Sequence, residues 1–414
     1  MKISICAFLY IMLSSFSFYV SEVRETTAFY IQVILGILWV FLSFVFEIIV
    51  HQKMHIKKKL IKLFFVYLIP QIILHMWGTY IGLKKDLPYF EITTNLSIYF
   101  PIIMAFAAVI FFGGEAVNYT LISFCIGIFI KSVNQIISQG IGEWYVVFQP
   151  TMEADFPLEF SDPILCLGYF FIYLYYVKNI PKRKKYFILM FLVIFFLFGR
   201  KRIVLISTGL ALIWGVIVNK ILKTKRLKEL ACYITNVSLC LIAYIYIYIL
   251  SLGDTFYSYI AKIGINLSGR DYFYKVMADW YTFSPSFSGI GKNMTFLLMQ
   301  NEYSYFGIKA IHNDMLKIYM ENGFALFGLW LIFYYIILPL ILKKNFGYKT
   351  MVLSVMLNIC MFILHFSDNT DTYYGCRLLL TMLPVCYACM NESKSKMSSL
   401  NKSIGNQVML KKTK

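Results

Sequence analysis

Apolar residues run through this chain in long blocks separated by short polar stretches. Twelve blocks read as membrane-crossing helices, most of them near the length that about 30 Å of hydrocarbon needs, at residues 3–20, 28–50, 63–82, 95–112, 117–138, 162–178, 186–199, 203–219, 231–252, 323–342, 350–366 and 377–390. The pattern predicts an all-α polytopic membrane protein of about 12 transmembrane helices, built as one domain over residues 1–414. Residues 253–322 make the longest polar excursion, predicted as an external loop containing short helices between spans nine and ten; residues 391–414 make a basic tail. After the first block comes "SEVRETT" without a small-x-small cleavage site, so that block is read as a span.

Composition agrees with the pattern. Of 414 residues, 59% are hydrophobic and 14% charged, more apolar than a soluble domain of this size can hide. The nine cysteines fall mostly inside apolar blocks, as Cys125, Cys240 and Cys360 do, with no disulfide framework and no metal-ligand spacing. The chain has no G-x-x-x-x-G-K-[ST], H-E-x-x-H or G-x-S-x-G motif, which leaves ATP-driven transport, zinc proteolysis and hydrolase chemistry without an anchor.

The net charge of +18 is unevenly placed. Lys53, Lys57, Lys58, Lys59 and Lys62 fill one loop; Lys178, Lys182, Arg183, Lys184 and Lys185 fill another; Lys220, Lys223, Lys225, Arg226 and Lys228 fill a third. Lys343, Lys344 and Lys349 join them, as do the lysines of the tail. Cations are retained on the cytoplasmic side, so these loops and both termini are expected there. The charge is read as a topology signal and an affinity for membrane lipids, with no nucleic-acid partner.

One stretch departs from that rule. "FGRKRIVL", residues 198–205, places Arg200, Lys201 and Arg202 at an external turn. The block before it, Tyr186 to Gly199, is 14 residues, or about 21 Å at roughly 1.5 Å per residue. The cations are therefore expected below the outer membrane surface, where they either snorkel to lipid phosphates or meet a bound anion. In the long external segment, "IHNDMLKIYMENGFALFG" reads as helix. At about 100° per residue, His312 shares a face with Ile308, Met315, Leu316 and Tyr319, toward the apolar interior. Asp314, Lys317 and Glu321 group on the opposite, wet face, where the acids are expected to pair with Lys317. Asp314 cannot orient His312 from the same helix, because residues two apart do not face each other.

The order of these features resembles a known superfamily. An Arg-bearing short external turn comes first, then a long external loop carrying "SGR", an aromatic, "SPSFSGIG" and "HNDML", with "ENGFALFG" leading into a membrane helix. This is similar to the O-antigen polymerase and ligase superfamily, most nearly the Wzy-type oligosaccharide repeat-unit polymerases, in detail over residues 186–342. The resemblance implies glycosyl transfer at the external face of a bacterial cytoplasmic membrane. An acceptor hydroxyl attacks the anomeric carbon of a polyprenyl-diphosphate-linked oligosaccharide, and the lipid diphosphate leaves. It implies Arg200 and Arg270 as the diphosphate grip and His312 as the base. Beside these, Arg202, Lys292, Trp280, Arg377 and Asn313 are candidate substrate contacts, and Arg377, at the start of the last block, also reads as an interfacial anchor. Guanidinium groups suit both the bidentate grip and the developing charge, and a neutral imidazole can accept the hydroxyl proton.

No cofactor or metal is required by this scheme, although Glu153, Asp155 and Glu159 weakly resemble cation-binding residues of other lipid-linked glycosyltransferases. A chain-length regulator and a flippase are candidate partners. Two alternatives stay open: a ligase using the same chemistry, and a lipid-linked oligosaccharide flippase or other secondary transporter. The topology has a direct test. A cysteine replacing Lys201 is expected to react with a membrane-impermeant maleimide added from outside; labelling only after lysis refutes the external turn.

Overall fold

The computed structural model describes residues 5–23, 26–50, 58–85, 92–139, 161–177, 202–262, 277–303, 311–368 and 373–391, with isolated positions between these segments. Every regular element among the described residues is a helix. In hydrocarbon each backbone N–H and C=O must find a partner inside the protein, and a helix provides that within one segment. Seven helices are long and apolar enough to cross a membrane, and shorter apolar helices cover Ile5–Val20 and Leu165–Tyr176.

The elements in chain order are α1 (Ile5–Val23), α2 (Thr26–Val50), α3 (Lys58–Lys84), α4 (Ile92–Phe112) and α5 (Ala116–Gln139). They continue as α6 (Ser161–Tyr176), α7 (Arg202–Val216), α8 (Lys225–Ser251), α9 (Asp254–Lys262) and α10 (Met294–Tyr303). A long run, α11, spans Asp314–Phe346; α12 is Tyr348–His365, and α13 covers residues 374–391. The apolar run Ile98–Asn134 has 37 residues, about 55 Å if straight. Gly113, at φ +58°, breaks it into α4 and α5. Helix α12 is almost wholly buried, whereas α2, α3 and α8 turn residues such as Ile34, Met76 and Ile245 outward, as lipid-facing helices do.

The bundle has two distinguishable ends. At one, Lys59 Nζ reaches the Asn345 carbonyl at 3.4 Å, and Lys343 Nζ lies 2.7 Å from Glu229 Oε2. There too Lys225 sits over the Tyr348 ring and Tyr176 donates to the Lys349 carbonyl. The loops holding these cations thus meet, as their shared charge implied. The loop at 178–185 lies outside the described residues except for Arg183, and so do Arg200, Lys201, Arg270, residues 140–160 and the tail from residue 392.

The decisive departure from a simple bundle is in α11. Gly323 has φ +80° and ψ 178°, which interrupts the helix. Asp314 and Trp330, one on each arm, both approach His365: Asp314 Oδ2 lies 3.9 Å from Nε2, and the Trp330 ring centroid is 5.8 Å from the imidazole. Sixteen residues of straight helix would separate them by about 24 Å, so the arms fold toward each other at Gly323. Tyr319 and Phe327, eight residues apart, meet edge to face across the same bend. Farther along, Ile332–Ile337 forms a π-helical turn, and Asn358 Nδ2 donates to the Tyr334 carbonyl within it at 3.2 Å. Such turns release carbonyls from the helical ladder.

Gly323 cannot be exchanged freely. A Cβ there would collide with the backbone of Phe287 and Ser288, besides the strain of a side chain at positive φ. Gly347, at φ +91°, has open space around it. Gly347→Ala is expected to lose about 1–3 kcal/mol from backbone strain alone, and Gly323→Ala distinctly more. Thermal unfolding in detergent measures both; equal losses would show that the bend is not tightly packed.

Candidate functional site

His312 lies in the bend before α11, at φ +49°. That is an uncommon conformation for a side chain and one enriched at functional sites. It corrects the sequence expectation. The helix starts at Asp314, capped by Asn313, whose Oδ1 accepts from Leu316 N at 3.0 Å, so His312 has no helical face. Its side chain is 43% exposed and points Nδ1 toward Asp368 Oδ1 at 3.5 Å. Asp368 is 7% exposed and accepts a hydrogen bond from the Tyr373 hydroxyl at 3.2 Å. Ile308 lies outside the described residues.

The expected wet face is also corrected. Asp314 and Glu321 are buried because each carboxylate has partners from elsewhere in the fold. Thr370 Oγ1 donates to Asp314 Oδ2 at 3.0 Å, and the buried His365 faces the same oxygen. Glu321 makes its direct ion pair with Lys292, and Lys317 acts on it as a second, more distant positive charge. Two imidazoles and two carboxylates thus gather around the turn between α12 and α13, with His312 at the open side and His365 beneath.

Asn313 Nδ2 donates to the Tyr246 hydroxyl at 2.6 Å, and the Tyr246 ring packs on Phe366. Tyr246 lies near the end of helix α8, which continues to Ser251. The Asn313 amide therefore holds the start of α11 in place. Trp280, in a turn of the long loop, is exposed. Arg202 begins α7 and is also exposed.

Arg377 is placed differently from an interfacial anchor. It is 8% exposed and lines a cavity of about 50 Å³ with Gln71, Tyr334, Ser354, Asn358 and Thr381. Trp330 forms part of the same wall and stacks against His365. The Arg377 cavity therefore lies next to the His–Asp cluster. A space of that size holds a few water molecules and is too small for a sugar. Sequence reasoning missed Asp368, Tyr373, Asp314 and His365 as members of the site. "HFSDNTDTYYG", residues 365–375, was a usable signal, a polar turn rich in chemistry-bearing side chains between two apolar blocks.

Comparison with family models, with curated proteins and with solved structures finds no match. The functional reading accordingly rests on the sequence resemblance and on the geometry around His312.

The role of Asn313 is testable without substrate. Asn313→Ala removes a helix cap, worth about 1 kcal/mol, and the donor to Tyr246. It is expected to lower the detergent-phase unfolding midpoint more than Tyr246→Phe does. An unchanged midpoint would return Asn313 to the pool of substrate contacts.

Proposed function

We propose that this protein is a glycosyltransferase that polymerises polyprenyl-diphosphate-linked oligosaccharide repeat units at the external face of a bacterial cytoplasmic membrane. In this reading the chain crosses twelve times with both ends cytoplasmic, and the basic end of the bundle faces the cytoplasm. The observation that carries it is the His312–Asp368 pair, 3.5 Å apart with the imidazole partly exposed, at the end of the bundle opposite the basic loops.

The chemistry follows from that pair. An acceptor hydroxyl approaches Nε2 of His312, its oxygen bonds to the anomeric carbon, and the bond from that carbon to the diphosphate oxygen breaks. The electron pair leaves with the lipid diphosphate, and His312 takes the hydroxyl proton. Asp368, on Nδ1, holds the ring in one tautomer and stabilises the imidazolium that forms. Tyr373 in turn fixes Asp368. The distance of 3.5 Å is longer than a tight hydrogen bond, as is common before substrate binds. In this scheme Arg200 and Arg270 receive the charge developing on the diphosphate, a role that rests on the family resemblance. A ligase delivering finished glycan to another acceptor would use the same steps.

One observation favours a second reading. The bend at Gly323 breaks a membrane helix, and discontinuous helices are a device of secondary transporters. The assay separates the two. Purified protein in vesicles, given a synthetic polyprenyl-diphosphate oligosaccharide, is expected to produce longer glycans. His312→Ala is expected to slow lengthening by about 10²–10⁴-fold, and Asp368→Asn by a smaller factor. Lengthening unaffected by either change would refute the base assignment; translocation of the lipid-linked sugar with no lengthening would establish the transporter.

A further inference from the structure

Resting on that reading, we propose that Lys292 is a positioning residue. It closes a backbone clasp that holds the Asp314–Asn322 arm, and through it His312, and it does not bind substrate phosphate.

The clasp is the segment Phe287–Asn293, "FSGIGKN". Where α11 breaks, the last carbonyls of its first arm lose their helical partners, and this segment replaces them. Ile290 N donates to the Met320 carbonyl at 2.7 Å and Gly291 N to the Glu321 carbonyl at 3.3 Å. Trp77 Nε1 donates to the Asn322 carbonyl at 3.2 Å. On the second arm, Phe324 N donates to the Phe287 carbonyl at 2.9 Å. The segment's other edge is tied to α3: Lys292 N donates to the Gly78 carbonyl at 2.9 Å, and Lys85 Nζ to the Gly289 carbonyl at 2.8 Å.

Side chains then lock the join. Lys292 Nζ lies 3.2 Å from Glu321 Oε2, with the two side chains 15% and 1% exposed. Thr295 donates to Glu321 Oε1 at 2.6 Å. A lysine spent on a buried carboxylate is not presented to a phosphate. Its partner sits on the arm whose far end carries the Asn313 cap, next to His312. With one end pinned by the clasp and the other by Asn313–Tyr246 and Asp314–Thr370, the arm is fixed at both ends. Removing one member of a buried pair strands the other charge, whereas removing both charges is often nearly neutral.

That asymmetry distinguishes positioning from phosphate binding. The full chain in lipid nanodiscs would be compared as wild type, Lys292→Met, and Lys292→Met with Glu321→Gln. Two readouts are used: hydrogen exchange over residues 314–322, and lengthening of the synthetic lipid-linked oligosaccharide. Lys292→Met is expected to lose protection by about tenfold or more and to lower kcat with little change in KM. The double variant is expected to regain protection and turnover to within about threefold of wild type. A phosphate ligand predicts the opposite: normal protection in Lys292→Met, a raised KM, and a double variant as impaired as the single, any of which overturns the proposal. If Lys292→Met does not fold, the double variant decides, since its folded but inactive form overturns the proposal as well. If wild type itself does not lengthen glycans, the polymerase reading fails, while the exchange results still judge the clasp.

Discussion

A broken helix inside a membrane protein must satisfy its freed backbone groups from within the protein, and much of this structure answers that requirement. At Gly323 the first arm of α11 ends with carbonyls that have no helical donor. Backbone amides of Ile290 and Gly291, the indole of Trp77 and the side chain of Asn322 itself, which donates to the Ile318 carbonyl, supply them. The long loop is thereby drawn between α3 and α11 as a structural part of the bundle. Without those donors the carbonyls freed at Gly323 would be buried unpaired, at a cost the membrane interior does not relieve.

The bend also sets the position of His312. It brings the start of α11 back to the level of His365 and Trp330. His312 is thereby lodged beside the turn joining α12 to α13, where Asp368 and Tyr373 orient it. The more deeply buried acid, Asp314, is matched by Thr370 and faced by His365. A second polar layer lies under the first, where Arg377, Gln71 and Asn358 line a small cavity around the π-helical turn. Polar groups at such depth are costly unless satisfied, so their concentration along one side of α12 marks the part of the bundle built for something other than packing.

Single positions show why the site was only partly legible in the sequence. His312 stood out in the sequence as a chemistry-bearing residue, but its neighbours were inferred by extending helical periodicity upstream through Asn313. Asn313 is a cap, and periodicity stops at a cap. Asp314 and Glu321 were assigned to water because acids on a regular helix usually face it. Here each meets a partner more than twenty residues away, Thr370 and Lys292. Arg377 looked like an anchor because it begins an apolar block, while the packing of α3, α4, α11 and α12 around it decides that it is buried.

Local physics was enough for the coarse architecture. Apolar block lengths and the need to close every backbone hydrogen bond in lipid determine that the chain is helical and membrane-embedded, and clustered cations mark which loops share an end. These properties depend only on neighbouring residues and on the solvent. The partner of His312, the burial of Glu321 and the turn of α11 belong to tertiary structure alone. Each arises where segments distant in the chain exchange hydrogen bonds across a break, and one-dimensional periodicity carries no record of such an exchange.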